Sequence, residues 1–198
     1  MKQERLAISA VIVVIMDIVE THDIIDSILL EARRRWQPDL EADYLPYRNH
    51  VYRVFNFSIR MAGATGEDVE KLAIAAAFHD VGIWLDGTFD YLGPSSGRAA
   101  EYLSRIGREE WAESVHEIID QHHKIRPWCG LEQNLVECFR KADWLDVCLF
   151  ALPSPLKKAY LAEVLRRFPR EGFHRRLIFL NLKWACKHPF NPFPIFKW

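Results

Sequence analysis

Apolar residues recur at steps of three and four along most of the chain, and Pro and Gly cut that pattern into segments. In DIVETHDIIDSILLEARRRW, Ile18, Ile25, Leu29, Ala32 and Trp36 fall on one helical face, and the helix should stop before Pro38. A second helix is expected after Pro46, with His50, Val54, Phe57 and Met61 sharing a face and Gly63 and Gly66 ending it. A third runs from about Glu67 to Asp80, with Val69, Leu72, Ala73, Ala76 and His79 on one stripe. The stretch LDGTFDYLGPSSG reads as a loop, and Ser95 or Ser96 is expected to cap a helix through about Ile106. Further helices are expected over 108–124, 131–150, 156–168 and 173–187. No segment alternates apolar and polar residues between turn signals, so the pattern predicts an all-α fold, one domain over residues 1–198.

Both ends depart from this rhythm. The run from Leu6 to Met16, LAISAVIVVIM, has 11 residues, too few for a spanning helix of about 20, and no small-x-small cleavage site follows it. It reads as a buried or dimer-packed segment, or as an upstream extension if the natural start is Met16. Near the other end, Leu177, Ile178, Leu180, Leu182 and Trp184 lie almost all round their helix, which should be buried against the domain or a second subunit. A homodimer is therefore a candidate. The last ten residues, PFNPFPIFKW, should form an extended strap, and basic residues there are too sparse to call for a membrane.

Composition narrows the partners. With 49% hydrophobic residues the chain can bury a sizeable core, and 26 basic against 27 acidic residues leave a formal charge of -1. No overall field recommends nucleic acid or an anionic surface as partner. Cys129, Cys138, Cys148 and Cys186 form no CxxC pair and no disulfide-like pattern, which suits a reducing cytoplasm.

The polar exceptions on apolar faces carry the chemistry. His50 and His79 sit on the apolar stripes of separate helices, Asp80 follows His79 directly, and Asp143 lies four residues after Phe139 on the buried side of its helix. Burying such groups is costly unless they bind one another, other polar groups or an ion. One divalent metal, of the kind served by imidazole and carboxylate (Mn, Fe, Co, Ni or Zn), would answer all of them together. Adjacent residues project about 100° apart around a helix axis, so His79 and Asp80 can bracket one ion at a helix end.

The ordered series His50, His79-Asp80 and Asp143, set in YRNHVYRV, AIAAAFHDVG, IIDQHHKI and FRKADWLD, resembles the signature of the HD-domain superfamily of metal-dependent phosphohydrolases. The resemblance covers about residues 45–150, flanked by 1–44 and 151–198. It implies an all-α bundle, one or two divalent ions held by His50, His79, Asp80 and Asp143, and hydrolysis of a small-molecule phosphate ester, often a nucleotide. In binuclear relatives, histidines between the doublet and the final Asp hold a second ion, which makes His116 and either His122 or His123 candidates. The alternative, which we take as the expectation, has one histidine bonding substrate or Asp143 while the others face solvent. His116, Asp120 and His123 share one helical face, from which His122 points away.

Around this set, Lys124 could meet a phosphate, and Arg53 with the loop residues Asp86, Thr88, Asp90, Tyr91, Ser95 and Ser96 could shape the mouth of the site. Ile83 and Trp84 follow Gly82 and no GYP occurs, which argues against the cyclic-dinucleotide phosphodiesterases similar to this fold. The Glu near the doublet of nucleoside-monophosphatase relatives has only Asp86 and Asp90 as counterparts. Two other classes stay open: a di-iron oxygenase or hydratase-like lyase on the same fold, and a non-catalytic, ligand-binding regulatory module.

Overall fold

A computed structural model describes residues 18–36, 38–191 and 194; the apolar run at 6–16 and most of the C-terminal strap lie outside them. The described residues are all-α: α1 (Asp23–Arg33), α2 (Tyr44–Ala62), α3 (Glu67–Phe78), α4 (Val81–Asp86), α5 (Leu92–Arg105), α6 (Ala112–Gln121), α7 (Gln133–Val147), α8 (Lys158–Arg167) and α9 (Phe173–Lys187).

Helix α3 is the centre. Its acidic first turn, Glu67, Asp68 and Glu70, suits the positive end of the helix dipole. Its second half, Ala73 to Ala77, is wholly buried, and α1, α2, α5, α6 and α7 all pack on it. Small side chains are what let so many neighbours approach one helix. The most extensive pairing is α2 on α7, and α2 is buried nearly all round, from Pro46 to Ser58 apart from Arg48. It ends as expected at Gly63, whose φ of 60° is the left-handed conformation that glycine tolerates.

Three expectations are corrected. Helix α5 begins at Leu92, ahead of both serines; Pro94 falls in its first turn, where a missing N–H costs nothing. Ser95 accordingly caps nothing: its Oγ accepts a hydrogen bond from the backbone N–H of Gly82 at 3.1 Å. Helix α9 is not sunk into the core of the described residues, since Phe173 alone of its residues is buried and Ile178 and Leu182 are each 62% exposed. It is anchored at Phe173, leans on the core through the partly buried Leu177, Leu180 and Trp184, and runs beside a cavity with Leu177, Ile178 and Leu182 in its wall.

Candidate metal centre

The α3 ladder ends at His79, which keeps helical dihedrals, whereas Asp80 sits at φ -111°, ψ 3° before α4 begins. This break turns the Asp80 carboxylate beside the His79 ring instead of a quarter-turn away. The bend is tight: a Cβ on Gly82 would come within 2.9 Å of the Tyr91 Cβ and 3.2 Å of the Ser95 Oγ. Only glycine lets α4 lie against the start of α5 here.

Helices α2, α3 and α7 then bring four groups together. His50 Nε2 lies 3.1 Å from His79 Nε2, 3.5 Å from Asp143 Oδ1 and 3.7 Å from Asp80 Oδ2. His79 Nε2 is 3.5 Å from Asp80 Oδ2 and 3.8 Å from Asp143 Oδ1. His50, His79, Asp80 and Asp143 are all buried. His122, also fully buried, places Nε2 3.3 Å from Asp80 Oδ1, and His123 Nδ1 stands 3.9 Å from Asp143 Oδ2. Two overlapping triads are therefore spaced to grip an ion: His50, His79 and Asp80, and Asp80, His122 and His123.

The far side of each ring fixes its chemistry. His50 Nδ1 faces Asp146 Oδ2 at 2.8 Å, His79 Nδ1 faces the Ala76 carbonyl at 2.8 Å, and His122 Nδ1 faces the Ile119 carbonyl. These oxygens only accept, so each Nδ1 carries the hydrogen and a neutral ring presents a bare lone pair at Nε2. Burial first, and then the neighbouring rings of His122 and His50, holds His79 down to about 3, so it is neutral at pH 7. Two lone pairs 3.1 Å apart repel unless something positive lies between them. Asp143 Oδ1 is likewise buried without a hydrogen-bond partner among the described residues, which costs about 1–3 kcal/mol, and Asp80 Oδ1 meets only His122 Nε2, at 3.3 Å. A divalent cation satisfies all these atoms together, and the mixed imidazole and carboxylate set suits a first-row transition ion.

Electrostatics separates the two carboxylates. Burial drives Asp143 up from 3.8 to about 7, with Asp80 and Asp146 adding to the rise against the rings of His122 and His50. Burial also opposes ionisation of Asp80, but the imidazoles of His79, His122 and His123 overcome it and hold this carboxyl well below its usual range. His122 is held above its ordinary value: burial works against this, and the carboxylates of Asp80 and Asp143 prevail.

Sequence reasoning missed Asp146 as a member of the site; Tyr91, named in the loop expected at its mouth, does line the cavity. Asp146 is fully buried, bound by Arg53 through Nε at 2.7 Å and Nη2 at 2.9 Å, and faces His50 as well. It lies three residues beyond Asp143 and seven beyond Phe139, so the α7 face that predicted Asp143 also pointed to it. The Tyr91 hydroxyl lies 2.6 Å from His123 Nε2, a partner that the sequence does not announce because it stands 32 positions away, just beyond α6.

Several candidates stand elsewhere. His116 is exposed on α6 and belongs to neither triad. His122, read as turned away, is inside: it continues the buried series Val115, Ile118 and Ile119 by one more step. Arg53 is fully buried, its remaining nitrogen donating to the Phe168 carbonyl at 3.0 Å, and so cannot meet substrate. Asp86 is paired with Arg98 at 2.7 Å on the surface, and Asp90 is exposed. Neither these residues nor Ser95 lines the cavity over the cluster. Lys124 is half-buried, its ammonium 5.9 Å from the Trp128 ring centre. All four cysteines are free. No helix among the described residues is long and apolar enough to cross a membrane.

Comparison with the curated proteins and with the solved structures gives no match. The family model for the HD domain matches residues 47–148, which contain every group of the cluster, and the chain belongs to the HD domain family.

Proposed function

We propose that the protein is a metal-dependent phosphohydrolase acting on a small phosphate ester, with His50, His79, Asp80 and Asp143 as the ligand set. The observation that carries this reading is the convergence of the His50 and His79 Nε2 atoms on the buried carboxylates of Asp80 and Asp143, which themselves line an open cavity of about 400 Å³. A divalent ion in that cluster supplies an acidified water and an electrophile for a phosphoryl oxygen.

The chain's own residues do the rest. Asp146 receives the His50 Nδ1 hydrogen and keeps Nε2 turned inward, while Arg53 holds Asp146 ionised. Asp143 and Asp80, beside their place in the ligand set, offer carboxylate oxygens that would accept a hydrogen bond from the attacking water and orient it. Tyr91 and His123 line the cavity and share a hydrogen bond. Burial holds Tyr91 protonated and His123 neutral, so the pair can stabilise a leaving oxygen by hydrogen bonding. The second triad favours a second ion as an extension of the same chemistry.

The test is a phosphomonoester and phosphodiester panel with Mn, Co or Ni, run on the native protein and on Asp80→Ala. Hydrolysis by the native protein that the substitution abolishes, with the helical content unchanged, is the expected result. Equal turnover by both proteins would remove Asp80 from the mechanism, and two irons per chain with oxygen-dependent turnover would favour the oxygenase alternative.

A further inference from the structure

The cavity over the cluster is polar at its floor and apolar on its walls. Ile83 and Phe89 come from α4 and the turn after it, Val147 and Leu149 from the end of α7, and Leu177, Ile178 and Leu182 from α9. Leu149, Ile178 and Leu182 are each more than half exposed, a concentration of open apolar surface that ordinarily marks a binding site. At about 400 Å³ the cavity falls within the range of small-molecule sites.

Its polar groups are few. His174 Nε2 donates to the Asp146 carbonyl at 2.8 Å while its Nδ1 has no hydrogen-bond partner among the described residues, Tyr91 and His123 bond each other, and the charged lining residues are the carboxylates Asp80 and Asp143. Neither Lys nor Arg is among the described residues lining it, so nothing there would bind a polyphosphate beyond the group held at the cluster. The Asn181 amide and His174 Nδ1 are too few to match the hydroxyls and base edge of a nucleoside, most of which would lose their hydrogen bonds to water on entering.

We propose that the site selects monoesters with an apolar body, aryl or branched-alkyl phosphates, against nucleotides. The inference rests on the phosphohydrolase reading for the reacting group alone; the apolar body is read from the walls. Ile178 and Leu182 can carry the test because a charge placed at either remains in contact with water and leaves the core untouched.

The experiment compares Mn-loaded native protein with Ile178→Glu and Leu182→Glu. It measures kcat/KM for 1-naphthyl phosphate and for AMP, and binding of the uncleavable 1-naphthylmethylphosphonate by calorimetry. The expected result is a preference for the naphthyl ester of about tenfold or more, and a comparable weakening of phosphonate binding in both variants. Faster turnover of AMP would overturn the inference while leaving the phosphohydrolase reading intact. Phosphonate binding that the variants weaken, without turnover of any ester, would support the apolar site and sink the phosphohydrolase reading. Native protein that neither binds the phosphonate nor prefers the naphthyl ester would also overturn the proposal.

Discussion

Asp146 shows how a single side chain governs a site that it does not directly enter. It neutralises a buried guanidinium and sets the tautomer of His50 at once. Asp146→Asn keeps the shape but removes the charge, leaving Arg53 uncompensated in the interior. We expect a loss of about 3–5 kcal/mol in stability and a fall of about 10–100-fold in metal affinity. Urea denaturation and metal titration measure the two effects, and native-like affinity in the variant would refute the orienting role. The sequence held a trace of this residue in the α7 periodicity, but not its partner: Arg53 lies 93 positions away and meets it only when α2 packs on α7.

At the scale of elements, one ring is the deepest anchor of α9, whose Leu177, Leu180 and Trp184 are only partly buried against the core. Phe173 stacks on His50 with centroids 4.3 Å apart and 20° between planes, and it is the only residue of α9 that is buried. Phe173→Ala should cost about 3–5 kcal/mol, as large-to-small core changes do, and should loosen the cavity wall. In the native protein the α9 amides should already exchange faster than those of α2, since local stability follows buried contact. Hydrogen exchange of both proteins checks this; uniform protection of α2 and α9 would contradict it. The apolar residues of α9 suggested burial because hydrophobicity along a helix does not distinguish a packed face from one that lines an open cavity. Helix α6 taught a related lesson. Its buried series Val115, Ile118 and Ile119 runs on to His122, whereas the phase of His116, projected past the helix end at Gln121, turned His122 away and so separated it from His123, although both reach the cluster.

For the whole molecule, the metal and the fold are coupled. Asp143 has its pKa raised from 3.8 to about 7 by burial, so in metal-free protein the folded state holds a proton that the unfolded state releases. The sign follows: this group favours the metal-free fold most below its unfolded pKa, and its contribution falls as pH rises from about 4 through about 7. His122, also raised, acts in the same direction above its ordinary value of 6.5. A bound cation replaces the proton, so its apparent affinity should rise with pH, by about tenfold per unit for one proton displaced, and level off above pH ~7. At a hundredfold excess over its dissociation constant it should add about 2.7 kcal/mol of stability. Thermal melts in chelator and in Mn at about pH 5.5 and pH 8 test both statements; a metal-induced shift larger at the lower pH would contradict them.

The sequence by itself determined the helical class, most helix boundaries, and the His50, His79-Asp80 and Asp143 series, because each rests on local periodicity that a helix converts directly into direction. It did not determine how far α9 stands from the core, that both His122 and His123 but not His116 join the cluster, or that Arg53 is a buried structural ion and Tyr91 a neighbour of His123. Those outcomes depend on how helices pack across distances of tens of residues, on the close approach of α4 to α5 that Gly82 allows, and on where a helix stops. Tertiary packing decided them, since buried charges settle wherever the assembled helices leave a partner within reach.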